Sequence, residues 1–403
     1  MAHYGMVNER SHEELHAWLR LTVEPGLGRA AARHLLKEFG LPQYIFSATA
    51  SSLSRHVSAD VAARISAPAT DEVQAIISTG LRLLGQPGYH LITLADPSYP
   101  ATLFDTSDPP VALYVRGNPA LLHRPAVAIV GARSATEGGK DNARAFAGHL
   151  AQRGWTIVSG LARGIDAAAH EGALRAADAG STVAVLACGL DIVYPNRHAE
   201  LTERIAAAGA LVTEYPPGTP AQPFRFPDRN RLVAGLSRGV LVVEAAVQSG
   251  SLLTARLALE FGREVFAIPG SIHAPLARGC HALIRQGAKL VEQGSDIEEE
   301  LLRSGPVPDA LQSSANPQKS RSTHRPAEST APTSRPARSM LKDPTVNRVL
   351  TALGYDPTDV DQLCRRSGLA YSRIAAVLTE LELSDVVQRL EDGRYVRRQQ
   401  ELL

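Results

Sequence analysis

The sequence has little cysteine and no long apolar run. Only three cysteines occur in 403 residues, Cys188, Cys280 and Cys364. Such wide spacing fits neither a zinc site nor a disulfide framework, and it is typical of a reducing compartment. No stretch approaches the length of a membrane span, and the polar N-terminal residues do not resemble a signal peptide. We therefore expect a cytoplasmic protein without a membrane partner.

The sequence also lacks a strong net charge. Its formal charge is +1, because 42 Lys and Arg residues nearly balance 41 Asp and Glu residues. Any affinity for nucleic acid must therefore come from local basic patches. The length predicts two or three domains, and an apolar content of 44% is ordinary for a globular protein.

Two consecutive strand–turn–helix units stand at the centre of the chain, between residues 127 and 173. In each, a β-branched apolar run precedes a turn of small residues with one arginine, and a helical segment follows. Such units build a parallel sheet whose ligands bind beyond the carboxyl ends of the strands. Backbone N–H groups there favour phosphate, and arginine adds a planar donor fork. We therefore predict a phosphate-binding edge formed by Gly131, Arg133, Ser134, Ser159, Gly160, Arg163 and Gly164.

The N-terminal residues 11–85 predict a small helical domain. Its PGLG turn between two helices is similar to a helix-hairpin-helix. This turn either holds a DNA phosphate or simply joins two packed helices, and the second alternative is slightly favoured.

Residues 86–303 predict a large α/β domain. Its first part, residues 88–125, supplies edge strands or a lid. Beyond the two central units, further strands are predicted at 182–187, 211–213, 240–243, 264–268 and 289–291. Their alternation with helical segments predicts a parallel, doubly wound sheet.

The C-terminal part of the chain has two different patterns. Residues 304–342, rich in Ser, Pro, Thr and Arg, predict a flexible linker. Residues 343–400 predict three helices, the second capped by Thr358, and a hairpin around Asp392-Gly393. This is a winged-helix plan, whose third helix, with Ser372 and Arg373, enters a DNA groove or contacts a protein.

The segment PFRFPDRNRLVAGLS, residues 223–237, interleaves two phenylalanines with three arginines. Bases of a single strand stack on aromatic rings while arginines hold the backbone. Alternatively, both phenylalanines lie in the core and the arginines lie on solvated surface. The arginine density beside two phosphate-binding turns favours nucleic acid, with stacking on Phe224 and Phe226 and backbone contacts from Arg225, Arg229 and Arg231.

A third turn follows the predicted strand that ends at Glu244. Its free amides and the start of a helix predict another anion site, formed by Ser249, Gly250, Ser251 and Thr254. Glu244 is either a general base or an acceptor of loop N–H groups, and the acceptor role is favoured.

No group of residues predicts a metal centre, a nucleotide cofactor or a catalytic site. The histidines lack ligand spacing, and the first turn lacks the GxGxxG fingerprint of dinucleotide binding. We therefore expect no metal, no cofactor and no catalytic residue.

Together these segments resemble the DNA-processing protein A family, also called DprA or Smf. The similarity runs in order from about residue 126 to 290, through VGARSATEGG, SGLARGIDAAAH, TVAVLACGLDIVYPNRH, TEYPPGTPAQPFRFPDRNRLVAGLS, VVEAAVQSGSLLTA and REVFAIPGSIHAPLARGCHALIRQGA. The resemblance implies an α/β fold with an extended Rossmann-like, doubly wound parallel sheet. An N-terminal helical domain, SAM-like or helix-hairpin-helix-like, and a C-terminal winged helix flank it.

The same resemblance implies a function. Family members bind single-stranded DNA and help load RecA recombinase onto incoming strands during natural transformation, without catalysis. It implies that Arg133 and Arg163 line the DNA pocket, and that Phe226, Arg229, Asn230 and Arg231 belong to the family's FPxRNR segment. It also implies a homodimer through the Rossmann-like domain.

Two other functions remain open from the sequence. The sheet is also similar to nucleoside-monophosphate phosphoribohydrolases, which hydrolyse an N-glycosidic bond and carry a PGGxGTxxE loop. Here that region reads QSGSLLTARLALE, which lacks the double glycine and displaces Glu260 from the motif spacing. Alternatively, the C-terminal domain binds duplex DNA or a partner, and the Rossmann-like domain is structural.

Overall fold

Within the residues that the structure describes, six helices form the N-terminal part. The computed structural model describes residues 10–176, 182–303, 343–384, 386–390 and 392–397. The six helices are α1 (His12–Val23), α2 (Arg29–Phe39), α3 (Pro42–Ser47), α4 (Ala50–Leu53), α5 (Ala59–Ser66) and α6 (Asp71–Leu84). Side-chain oxygens of Ser11, Thr49, Ser58 and Thr70 cap four of them. The helical prediction for this region is confirmed.

A nine-stranded sheet follows. Its strands are β1 (Tyr89–Thr93), β2 (Ala112–Gly117), β3 (Ala126–Val130), β4 (Thr156–Ser159), β5 (Thr182–Val185), β6 (Ala210–Thr213), β7 (Gly239–Val242), β8 (Glu264–Ala267) and β9 (Lys289–Leu290). They lie in the order β1-β2-β6-β5-β4-β3-β7-β8-β9. The predicted strands are therefore confirmed.

The sheet is doubly wound. The seven strands from β3 to β9 are parallel to their neighbours in that set. The chain builds outward from β3 through β4, β5 and β6 on one side, and through β7, β8 and β9 on the other. Strands β1 and β2 add an antiparallel edge beside β6. The predicted parallel sheet, with edge strands from the preceding segment, is confirmed.

Helices cover both faces of the sheet, because its central strands are apolar throughout. In β3, Val127 and Ile129 pack into one apolar cluster, while Ala128 and Val130 pack into the other. The covering helices are α7 (Glu137–Gln152), α8 (Ile165–Arg175), α9 (Ala199–Ala208), α10 (Arg225–Gly235), α11 (Gly250–Glu260), α12 (Arg278–Arg285) and α13 (Gly294–Arg303). Short 3-10 helices lie at Ala101–Asp105, Pro119–His123 and Asn196–His198.

The C-terminal part has the winged-helix plan. Its elements are α14 (Pro344–Leu353), α15 (Val360–Ser367), α16 (Tyr371–Leu383), β10 (Val387–Arg389) and β11 (Tyr395–Arg397). The hairpin turns at Gly393, whose φ is +82°. The predicted cap Thr358 is wrong by one residue. Asp359 caps α15, while the buried backbone of Thr358 exchanges two hydrogen bonds with Tyr395.

This C-terminal part contacts the large α/β region. Arg366 of α15 donates to the carboxylate of Asp141 on α7 at 3.1 Å. The predicted linker, residues 304–342, lies outside the described residues, and the division of the chain into four segments stays a prediction. Among the described helices, none combines the length and the apolarity that crossing a membrane requires.

Candidate nucleic-acid interface

Three loops meet at the carboxyl edge of the sheet, after β3, β4 and β7. The N–H group of Ala132 donates to the carbonyl of Glu244 at 2.7 Å, and that of Ile165 donates to the carbonyl of Ala132 at 3.3 Å. The two predicted turns are therefore in direct contact. Each presents one solvent-exposed arginine, Arg133 in the first and Arg163 in the second.

Two glycines permit this close approach. Gly164 has a φ of +79°, in the region that favours glycine. A Cβ atom at Gly164 would lie 2.2 Å from the carbonyl oxygen of Ala132, and one at Gly131 would lie 2.6 Å from Cγ1 of Ile165. A side chain at either position would push the two arginine-bearing turns apart.

Buried polar groups hold the second turn from below. The carboxylate of Asp166 accepts from the N–H groups of Gly160 and Ala162 at 3.1 and 3.3 Å. Burial raises the pKa of Asp166, against the opposing charge of Arg229. The side chain of Asp166 thereby fixes the backbone of the turn.

Helix α10 buries its side chains differently from both alternatives drawn from the sequence. Phe224 is 64% exposed and Phe226 is partly exposed, whereas Arg229 and Arg231 are only 4% and 6% exposed. The rings are thus available at the surface, and these two arginines are in the interior.

The guanidinium groups of both buried arginines donate hydrogen bonds to other groups of the protein. Arg229 donates to the carbonyl of Gly160 at 2.6 Å and also to that of Val185. Arg231 donates to the carboxylate of Glu214. A buried cation is tolerated only when it is paired in this way. The prediction that Arg229 and Arg231 contact DNA is therefore corrected: they support the edge from inside.

Phe226 belongs to an exposed aromatic pair. Its ring centroid lies 5.4 Å from that of Tyr194, which is 47% exposed. The guanidinium carbon of Arg133 lies 5.1 Å from the Phe226 centroid, within the range of a cation–π contact. The loop that carries Tyr194 is tied to the second turn, since Nδ1 of His198 lies 3.0 Å from the carbonyl oxygen of Leu161. We call Tyr194 and Phe226 the ring pair.

The sequence reasoning missed Tyr194, whereas it counted Arg225 among the three arginines of the segment 223–237. The guanidinium carbon of Arg225 lies 5.3 Å from the ring of Tyr215 and 5.2 Å from that of Phe224. Aromatic residues make up only 5% of the chain. Their recurrence in the loops that follow β5 and β6 was the signal that could have identified this surface.

The third turn is only partly accessible. The oxygen of Ser249 caps α11 by accepting from the N–H group of Ser251, and Asn230 donates to the carbonyl of Gly250 at 3.4 Å. Ser251 and Thr254 are buried, at 9% and 2% exposure. Their predicted contacts with a ligand are therefore corrected.

Only part of the predicted site is accessible to a ligand. Ser159 is also buried, and its hydroxyl donates to the carbonyl of Ile129 at 2.6 Å. The buried predicted residues are Ser159, Arg229, Arg231, Ser251 and Thr254. Those that remain at least partly exposed are Gly131, Arg133, Ser134, Gly160, Arg163, Gly164, Phe226, Asn230, Ser249 and Gly250.

Comparison with known proteins identifies the family of this chain. The family model described as DNA recombination-mediator protein A matches residues 90–302. The model of the DprA winged helix domain matches residues 325–393. The chain belongs to the DNA recombination-mediator protein A family.

Relatives in this family cover most of the chain. Protein Smf of Escherichia coli K12 is 41% identical over 323 residues, which are 80% of this chain and 80% of Smf. DNA processing protein DprA of Streptococcus pneumoniae R6 is 46% identical over 205 residues, 51% of this chain and 72% of that protein. The X-ray structure of DprA from Streptococcus pneumoniae matches with a TM-score of 0.63 and 34% identity, over 71% of this chain and 97% of that one.

In this family member, a protein carboxylate occupies the start of α7, beside the point where the strand order reverses. Glu244 accepts from the N–H group and the hydroxyl of Thr136, at 2.9 and 2.5 Å. Burial raises the pKa of Glu244, against these two bonds. The expected role of Glu244 as an acceptor of loop N–H groups is confirmed. Among the described residues, no cluster of three or more His, Cys, Asp or Glu could hold a metal ion.

Proposed function

We propose that the carboxyl edge of the sheet binds single-stranded DNA, and that the protein loads RecA recombinase onto incoming strands during natural transformation. Arg133 and Arg163 bind phosphates of the strand, and the ring pair stacks bases. One observation carries this proposal. A cation suited to phosphate and a ring suited to bases, Arg133 and Phe226, come from separate segments and share one exposed surface 5.1 Å apart.

The same geometry favours single strands over duplex. The ring pair can stack only on bases that are turned out of a helix, and stacking is tolerant of sequence because every base has a π-face. The charge of the whole chain is only +1. Affinity therefore comes from the few cations on this edge, and it falls steeply with salt.

We propose a binding protein rather than an enzyme, without a cofactor. Glu244, which could act as a base, already accepts two bonds from Thr136. Glu260 is the last residue of the 11-residue helix α11. At 1.5 Å per residue, it lies about 15 Å from the edge that carries the loops. Release of free base from AMP would instead support the phosphoribohydrolase alternative.

We also propose a homodimer that forms through the outer strand β9 of the sheet. Leu290 of β9 is 45% exposed, and Ile272 in the loop after β8 is 71% exposed. A second copy would cover these apolar side chains. Sedimentation should then show a dimer for the wild type and a monomer for Leu290→Asp.

The cytoplasmic location and the division of the chain into the four segments 11–85, 86–303, 304–342 and 343–400 are also part of the proposal.

The test of the DNA site is a titration of fluorescent oligothymidine with the wild type and with Arg133→Ala/Arg163→Ala. Each charge-assisted hydrogen bond contributes about 1.5–3 kcal/mol. The two lost contacts together should therefore weaken binding by at least about 100-fold. The double variant's plot of log K against log salt should flatten by about 0.7 for each phosphate that the protein no longer binds.

Arg55→Ala/Arg82→Ala is the matched control. It removes two exposed arginines from the N-terminal part, one in the turn after α4 and one on α6, and so it changes the net charge equally. It should stay within about twofold of the wild type. Equal losses in both double variants, or no loss in the first, would refute the assigned site.

A further inference from the structure

A compact group of charges joins the N-terminal helices to the large α/β region. It contains three arginines and three carboxylates, so that its formal charges cancel. We call it the ion cluster; its members are Arg29, Arg33, Asp108, Glu214, Asp228 and Arg231.

Arg29, the first residue of α2, is the centre of the ion cluster. Its guanidinium lies 2.7 Å from Asp108 and 2.8 Å from Glu214, and it forms two bonds of 2.8 Å with Asp228. The bond with Asp228 is the main reason why the pKa of Arg29 is raised. One side chain of the N-terminal part thus binds three carboxylates of the large region.

Asp228 connects this centre to the candidate DNA-binding edge. It lies in the first turn of α10, two residues after Phe226, and its carboxylate also accepts from the hydroxyl of Tyr215 at 2.9 Å. That first turn has no side-chain cap of its own. Its position is therefore set from outside, by Arg29 and Tyr215 on one side and by the bonds of Arg229 on the other.

We propose that Arg29 is a positioning residue for single-stranded DNA binding, because it holds the first turn of α10 and thereby keeps the ring of Phe226 in place for stacking. This inference rests on the proposed function. Arg29 itself needs no contact with DNA, since all its donors are engaged with carboxylates or turned toward them. The arginine after the PGLG turn thus serves the DNA site indirectly.

Removal of Arg29 would take away the bidentate partner of Asp228. Without that pair, the turn that carries Phe226 would shift. Contacts of Arg133 and Arg163 with phosphate would not change, because their turns are held by other bonds. Base stacking should weaken while phosphate binding persists.

The experiment compares two ligands in each variant, an oligothymidine and an abasic strand of equal length. The wild type should bind oligothymidine more tightly, because stacking needs bases. Arg29→Gln should bind oligothymidine about tenfold more weakly, within the range of indirect couplings, and should bind the abasic strand as the wild type does. Arg29→Lys, which keeps the charge, should recover part of the loss.

Arg33→Gln is the matched control. Arg33 lies one turn later on α2 and binds Asp108 and the carbonyl of Pro109, at 2.5 and 2.8 Å, but it does not bind Asp228. It should leave both affinities unchanged. Equal weakening of both strands by Arg29→Gln, or equal effects of Arg29→Gln and Arg33→Gln, would overturn the positioning role.

Asp228→Asn provides a second route if Arg29→Gln fails to fold. It should reproduce the selective loss of oligothymidine binding, and unchanged oligothymidine binding would overturn the inference. The failure of the proposed function is distinguishable. In that case Arg133→Ala/Arg163→Ala would bind both strands normally, whatever Arg29→Gln does.

Discussion

The arginines of the two βα turns and two of the three arginines of α10 play opposite roles. Arg133 and Arg163 point into solvent from neighbouring turns. Arg229 and Arg231 are buried, 4% and 6% exposed, and bind carbonyls or a carboxylate. The availability of partners decides which arginine is buried. A cation that finds fixed acceptors becomes part of the scaffold, and one that finds none stays free for phosphate.

The largest expected effect separates the two groups by stability. Arg231→Leu removes one partner of a buried ion pair, whose side chains are 7% and 6% exposed. We expect a loss of about 3 kcal/mol in the free energy of unfolding, read from the urea midpoint at constant m-value. Arg163→Ala, at an exposed turn, should change it by less than about 0.5 kcal/mol. Similar losses of unfolding free energy in the two variants would contradict the distinction between buried structural arginines and exposed arginines.

The next effect concerns binding rather than stability. Tyr194→Ala removes one member of the ring pair and should cost about 1–3 kcal/mol of affinity for oligothymidine. The salt dependence should remain that of the wild type, because both arginines still bind phosphate. Tyr371→Ala is the control, since Tyr371 is similarly exposed, at 63%, but lies on α16. A greater loss with Tyr371→Ala would place the DNA on the winged helix.

The smallest expected effect is a pH dependence of the free energy of unfolding, which tests the buried environment of α8, the helix that follows the second turn. His170 on α8 is fully buried, and its Nδ1 lies 2.7 Å from the hydroxyl oxygen of Thr182. That hydroxyl donates to Ile157, so Nδ1 of His170 must carry the proton that it donates. Burial lowers the pKa of His170 to about 3, with smaller contributions from the charges of Arg229 and His198.

The sign follows from the depressed pKa. Above an unfolded-state pKa of about 6.5, both states leave the imidazole neutral. Below it, only the unfolded state gains the proton, so stability is lost as the pH falls toward 3. At pH 5.5 the loss should reach about 1.4 kcal/mol relative to neutral pH. The variant His170→Asn should lack this loss of stability at low pH. If its unfolding free energy depends on pH as that of the wild type does, His170 is not the group responsible.

The fold was predictable because its signals are local. The apolar runs at β3 and β4 are followed at once by turns with glycine, and strand ends of a parallel sheet share one edge. Thus the contact between the turns of Arg133 and Arg163 followed from the order of the elements. Gly393 marked the hairpin for the same reason.

The rest depended on residues far apart in the sequence. Arg231 is buried because Glu214 and Asp108 lie beside it, and Arg229 because the carbonyls of Gly160 and Val185 do. No local pattern in FRFPDRNR indicates these acceptors. The start of α15 could not be predicted from the local sequence either, because Thr358 and Asp359 are both good caps. The pairing of Thr358 with Tyr395, which is distant in the sequence, decides between them.

Photochemical cross-linking tests most directly whether DNA lies on the ring pair. Single strands with 5-iodouracil can be irradiated on the full-length protein, and the cross-linked peptides can be identified by mass spectrometry. We predict cross-links at Phe226 and Tyr194, which Arg133→Ala/Arg163→Ala would abolish. Cross-links confined to residues 343–397, unaffected by that variant, would contradict this placement of the DNA.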